Sequence, residues 1–192
     1  MKLLISTIAF TILISLNSFA QLEKGYWIGS ISGSLTTGKD SQFKTFTIIL
    51  NPEAMLFVRS KLAVGGNFSY GLFSMNKYEN GDGLETFKIR QTYLEIGPNA
   101  RYYFGNFHLK PFADLGMGLR MNRRWTDNSQ YEAYSPEWDF YARPAVGIAW
   151  WINDKVSLNL STSYTFLNFK KTDFDGVKIG VSFLFGNAGL KN

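Results

Sequence analysis

Residues 62–73 read LAVGGNFSYGLF. Leu62, Val64, Phe68, Tyr70 and Leu72 fall on one side of an extended chain, and Ala63, Gly65, Asn67, Ser69 and Gly71 fall on the other. A repeat of two is the signature of a strand. Which side meets protein and which meets solvent, and what that solvent is, decides the fold and the function.

The same theme recurs along the chain: an alternating stretch, a break, another alternating stretch. Eight strands are predicted, near 25–35, 43–57, 62–73, 87–104, 107–121, 138–152, 155–167 and 174–185. The breaks alternate in kind. Those after the second, fourth and sixth strands are tight, built on 58–61, Gly105-Asn106 and Asn153-Asp154, and the last two are hairpin-turn dipeptides. Those after the first, third, fifth and seventh are polar and longer: TTGKDSQ, SMNKYENGDGLET, NRRWTDNSQYEAYSP and NFKKTD. Short turns at one end and long loops at the other are the layout of a transmembrane β-barrel.

Composition agrees. The 192 residues suffice for one domain, and 18 Gly, 17 Phe, 10 Tyr and 5 Trp against 18% charged residues favour strands over helices. With no cysteine, disulfides and thiolate metal sites are excluded. The net charge of +5 is scattered, without the basic block that marks nucleic-acid binding. Residues 1–20 stand apart: Lys2 precedes an uncharged run over 3–16, and Ser18-Phe19-Ala20 offers a small-x-small site before Gln21. They read as a cleaved signal peptide, the run being shorter than the roughly 20 residues of a spanning helix. The barrel domain is then 21–192.

Taking one register per strand, one face gathers Trp27, Ile31, Leu50, Val64, Phe68, Ile96, Leu119, Val146, Leu158, Ile179, Val181 and their like, with no charge among them. The other face carries Ser, Asn and a few charges between many glycines and alanines. A soluble barrel enclosing a greasy ligand would also alternate, but its wet side would be dominated by long charged residues. Small residues beside a few large ones (Tyr93, Phe112, Tyr141, Arg101) suit instead a crowded eight-stranded lumen, so the apolar face points into lipid. Aromatics cluster at strand ends: Trp27, Tyr102, Phe104, Phe107, Trp150 and Phe185 by the short turns, and Tyr70, Phe140, Tyr164 and Phe166 toward the long loops. That is the placing of two interfacial girdles. Pro52, Pro98, Pro111 and Pro144 fall inside strands on the outward face, where bulges or bends are expected.

In these features the chain resembles the small porin-like outer-membrane β-barrel proteins of Gram-negative bacteria, the OmpA/OmpX type, over its whole length after residue 20. The most specific piece is the last strand, KIGVSFLF at 178–185. Lys178, then Gly180, then the alternating Phe183 and Phe185 are similar to the family's assembly signal, which implies recognition by the barrel-insertion machinery. Residues 98–104 (PNARYYF) and 110–112 (KPF) also resemble recurring strand segments of the family. Here Gly186 to Asn192 follow the final aromatic, whereas in the family that aromatic usually ends the chain. The resemblance implies an all-β, eight-stranded antiparallel up-and-down transmembrane barrel in the outer membrane, monomeric, with both termini periplasmic.

Little in the sequence carries chemistry. The one histidine, His108, sits just past a tight turn with no serine beside it, so no catalytic triad is suggested. The inward charges Glu53, Glu95, Arg101, Lys110, Asp114, Arg120, Arg143 and Lys178 read as a mutually neutralising polar network filling the lumen; a narrow ion path is the alternative. Arg123, Arg124, Trp125, Tyr131 and Tyr134 in the third long loop, with Lys170 and Lys171 in the fourth, are candidates for surface contacts, including lipopolysaccharide phosphates. Asn80-Gly81-Asp82-Gly83 lacks the ligand spacing of a calcium loop and reads as a turn. The expectation is a structural or surface-interaction protein with a plugged lumen. No cofactor, metal or nucleic acid is expected; a small-solute channel is the second reading and a lipid-modifying enzyme the third.

Overall fold

A computed structural model describes residues 22–39, 43–78, 85–106, 108–126, 136–168 and 171–186. Eight strands form: β1 (Trp27–Lys39), β2 (Phe43–Arg59), β3 (Leu62–Tyr78), β4 (Glu85–Tyr103), β5 (Leu109–Thr126), β6 (Glu137–Trp151), β7 (Val156–Leu167) and β8 (Lys171–Phe185). Each pairs antiparallel with its sequence neighbours, and β8 returns to β1, closing the barrel in the order β1 to β8. Over the paired stretch, closure removes the strand edges that hydrocarbon does not tolerate.

All eight predicted strands are present; β2 and β7 reach the long loops where expected, and the other six extend further out. β3 runs to Tyr78 and β5 to Thr126, so Arg123, Arg124 and Trp125 belong to a strand and not to a loop. Only residues 40–42 lie between β1 and β2, and only 168–170 between β7 and β8. The polar stretches are therefore partly tall hairpins: alternation continues through them because backbone pairing needs no apolar side chain once both strands are aligned. At the other end the short turns are confirmed. Lys61 takes a left-handed φ of 67° between Arg59 and Leu62, and Asn153 Oδ1 accepts from the Lys155 and Val156 amides at 2.8 and 2.9 Å.

The faces also stand as read. Ile31, Ile96, Val146, Leu160 and Ile179 are more than half exposed, and Pro52, Pro98, Pro111 and Pro144 all point outward. The bulges expected at those prolines are absent. The β2–β3 ladder passes from Leu50↔Tyr70 to Glu53↔Asn67 without a shift, β4–β5 from Ile96↔Leu119 to Asn99↔Gly116, and β6–β7 from Ala142↔Phe166 to Ala145↔Ser163, while Pro111 stays paired with Ile148. A proline removes one donor from one side of its strand, and the ladder skips that step and keeps its count.

A bulge does occur where no proline is. Between Thr162↔Val177 and Tyr164↔Phe174 the register shifts by one, leaving Asp175 and Gly176 opposite Ser163, with Gly176 at φ 76°. A glycine tolerates that conformation without a Cβ clash. Above this point β8 has no recorded pairing with β1: the seam runs from Trp27↔Phe185 to Gly33↔Ile179 and stops.

Close backbone approach is sharpest at Gly97, beside Pro98. A Cβ there would lie 1.8 Å from the Met117 carbonyl oxygen and 2.8 Å from Gly118 Cα. Gly97→Ala is expected to lower barrel stability by about 1–3 kcal/mol, because ladder backbone must move to make room. The check is the urea midpoint of the heat-modifiable band in a detergent gel.

Candidate functional site: the lumen

Inward residues of the strands fill the barrel in layers. At the short-turn end the filling is apolar: Ile28, Met55, Phe57, Ala63, Tyr103, Phe112, Ala149, Trp151 and Leu184 form one buried cluster. Tyr103 lies between Phe57 and Phe112 at centroid distances of 5.9 and 5.7 Å. The N-terminal segment closes over them, with Leu22 buried among them. Its backbone is fixed by Gly25 N to Phe57 O at 2.8 Å, Phe57 N to Tyr26 O at 2.8 Å and Lys61 N to Leu22 O at 2.9 Å. The polar network expected to fill the lumen therefore does not reach its short-turn end, which is a hydrophobic core. Such burial is worth about 1.5–3 kcal/mol per large side chain.

Above this core lies the charged layer, and the structure brings together seven of the eight inward charges assigned to it, in three groups. Arg101 of β4 donates from Nε to Asp114 of β5 and from Nη2 to Glu53 of β2, both at 2.6 Å. Phe112 lies under its guanidinium at 4.6 Å. Glu95, fully buried, accepts from Arg120 Nε at 2.7 Å and from Arg143 Nη1 at 2.5 Å. Tyr93 lies 4.5 Å beneath the Arg120 guanidinium. Lys178 forms the third group, donating to Ser163 Oγ at 2.9 Å and Asp175 Oδ2 at 3.2 Å.

These contacts join strands that are not neighbours in the sheet. Glu53 and Arg101 belong to β2 and β4, Glu95 and Arg143 to β4 and β6. Tyr141 of β6 reaches Asn67 of β3, its hydroxyl 3.0 Å from the amide. With the Asn67 amide oriented by its surroundings, Oδ1 accepts from Arg143 Nη2 at 2.6 Å and the nitrogen donates to Gly97 O at 2.8 Å. Side chains thus link strands two and three apart inside the barrel at that level. Glycines make room for the large ones: a Cβ on Gly71 would stand 2.0 Å from the Tyr93 ring, and one on Gly147 2.4 Å from Phe112.

Several members were not singled out from sequence. Asp175 accepts from Ser163 and Thr165 as well as Lys178, and Asp139 accepts from Asn122 at 2.8 Å and Asn168 at 2.6 Å. Ser30, Ser182 and Asn159 form a neutral chain between β1, β8 and β7. Lys110, the eighth inward charge read from the sequence, is instead buried apart from these groups, at the short-turn end.

The other sequence candidates fall elsewhere. Gly180 packs against Ser32 of β1, where a Cβ would meet Ser32 Cβ at 2.6 Å, and Phe183 and Phe185 face outward with centroids 6.4 Å apart. Arg123 lies over Trp125 at 5.4 Å, both exposed with Arg124 on the long-loop end of β5. Lys171 is the first residue of β8, while Phe107, Lys170, Tyr131, Tyr134 and 80–83 lie outside the described residues. His108 stands at the short-turn rim, its carbonyl accepting from Trp151 N at 2.9 Å. Among the described residues no group of three His, Cys, Asp or Glu could hold a metal.

A closed antiparallel barrel, greasy outside and packed inside, is an integral membrane protein of the β-barrel class. The chain belongs to the outer membrane protein beta-barrel domain family, whose model matches residues 6–185, and its place is the outer membrane. Solved structures show the same fold at low identity. The N-terminal β-barrel domain of Pseudomonas aeruginosa OprF is 12% identical, covering 85% of this chain and 98% of that one at a TM-score of 0.52. OprG of the same organism is 13% identical, covering 88% and 100% at 0.50. Ail, the attachment invasion locus protein of Yersinia pestis, solved with the heparin analogue sucrose octasulfate, is 12% identical, covering 84% and 97% at 0.50. A search of curated proteins gives no match.

Proposed function

We propose that this chain is a monomeric, non-conducting structural barrel of the outer membrane that presents its long-loop rim to the outside. The short turns and the N-terminal cover face the periplasm, and residues 1–20 are removed on export. The observation that carries this reading is the double filling of the lumen, an apolar core below and ion pairs between non-neighbouring strands above. No catalytic role is proposed, since His108 lies at the short-turn end, opposite the long-loop rim. The terminal strand supports its own reading as an assembly signal: Phe183 and Phe185 are presented outward while Lys178 and Gly180 are used inside.

Planar-bilayer recording tests the main point. The refolded protein is expected to give no stepwise conductance at moderate voltages. Discrete steps altered by Arg101→Ala or Glu95→Ala would replace this reading with that of a narrow channel.

A further inference from the structure

Residues 22–26 lead into β1, and the first of them, Leu22, is 5% exposed within the hydrophobic core of the short-turn end. The Leu22 carbonyl accepts from the Lys61 amide at 2.9 Å, and the Lys61 carbonyl accepts from the Tyr103 amide at 2.9 Å. Gly25, at φ 94°, donates to Phe57 O, and Phe57 donates to Tyr26 O, both at 2.8 Å. The segment is therefore anchored at its very start. The residue before Leu22 has its Cα about 3.8 Å from that of a buried residue.

That residue is Gln21, which lies outside the described residues and follows the small-x-small site Ser18-Phe19-Ala20. Removal of residues 1–20, the reading on which this inference rests, leaves Gln21 with a free α-amine. Two features make an α-ammonium costly there. Joined to a buried residue, it loses part of its water, which a charge tolerates less well than a neutral group. The segment and the turn it leans on also carry Lys24, Arg59 and Lys61 against one carboxylate, Glu23, and like charges close together repel.

Glutamine can remove this charge by its own chemistry. Its α-nitrogen reaches its own Cδ in a five-membered ring, and such amines titrate at about pH 8, so part of the population is unprotonated at neutral pH. Nucleophile and carbonyl belong to one residue, so their encounter needs no second molecule. We propose that Gln21 of the exported chain is converted to pyroglutamate, and that the neutral lactam seats the N-terminal cover on the barrel. The α-nitrogen attacks Cδ and forms a C–N bond; the Cδ–Nε2 bond breaks, and Nε2 leaves as ammonia with a proton from the α-nitrogen. No oxidant or co-reactant enters the balance. The cover then begins with an uncharged ring and offers no free amine to an aminopeptidase.

The experiment is the intact mass of the barrel isolated from outer membranes, denatured in acid at harvest so that protonated amines cannot cyclise during work-up. The expected mass is that of residues 21–192 less one ammonia, with the N-terminus closed to amine labelling. The full mass of 21–192 with a labelled α-amine would overturn the modification and leave cleavage standing. A mass that retains residues before 21 would overturn the cleavage reading and the modification with it. Gln21→Asn keeps the amide but could close only a four-membered ring. It is expected to show a free amine and to lose the fast-migrating gel band at lower urea than the unsubstituted protein, whereas an equal midpoint would overturn the seating role of the lactam.

Discussion

Glu95→Ala is expected to destabilise the barrel by about 3–5 kcal/mol, because it removes the carboxylate that two buried guanidinium groups share. Arg120 and Arg143 both donate to this one carboxylate, and Glu95 itself has no exposed surface. Removing an ion from such a group costs more than the pair contributes when intact, since the remaining charge keeps its desolvation penalty without its partner. The measurement is urea unfolding of the refolded protein, followed by loss of the fast-migrating band. Arg120→Met combined with Glu95→Gln should recover part of the loss, as one cation and the anion leave together. An unchanged midpoint for Glu95→Ala would show that the arginines find another anion in the lumen.

Ile179→Arg is expected to cost about 2–4 kcal/mol, the penalty for a cation at the bilayer midplane on the lipid face of a barrel. Ile179 is 69% exposed and lies midway along β8 between the aromatic residues Phe174 and Phe185. Leu158 faces outward too, but it pairs with Trp150 of the short-turn girdle, so Leu158→Arg should cost less. The gradient is the informative part. Equal costs at the two positions would place the belt at a different height, and near-neutral values at both would invert the faces of the barrel.

Much of this was legible because a barrel's wall obeys one rule per residue. From Leu62 to Leu72 the outer and inner sets could be assigned by parity alone, and the structure keeps every one of those assignments. Parity fails at a single step on β8. Strict alternation would put Asp175 with Val177 and Ile179 in lipid, and the bulge at Gly176 turns it inward to Lys178. A glycine in a strand signals that such a step can occur, not that it does. Leu22 was hidden for another reason: its burial depends on a chain segment folding back over the turn at 60–61, a contact that no periodicity encodes. Pro52 and Pro98 misled in the opposite sense, since an outward proline needs only a skipped hydrogen bond.

The seam between β1 and β8 adds a dimension of time. Seven of the eight ladders join neighbours in sequence, and each can form as soon as its hairpin is made. The eighth joins residues as far apart as Ser30 and Ser182, separated by 152 positions, and holds only the stretch from Trp27 to Gly33. Non-local pairing is the slow event in folding, because the chain must be brought together before any contact rewards it. Closing the cylinder is therefore expected to wait on this short seam, which stops just below the bulge at Gly176.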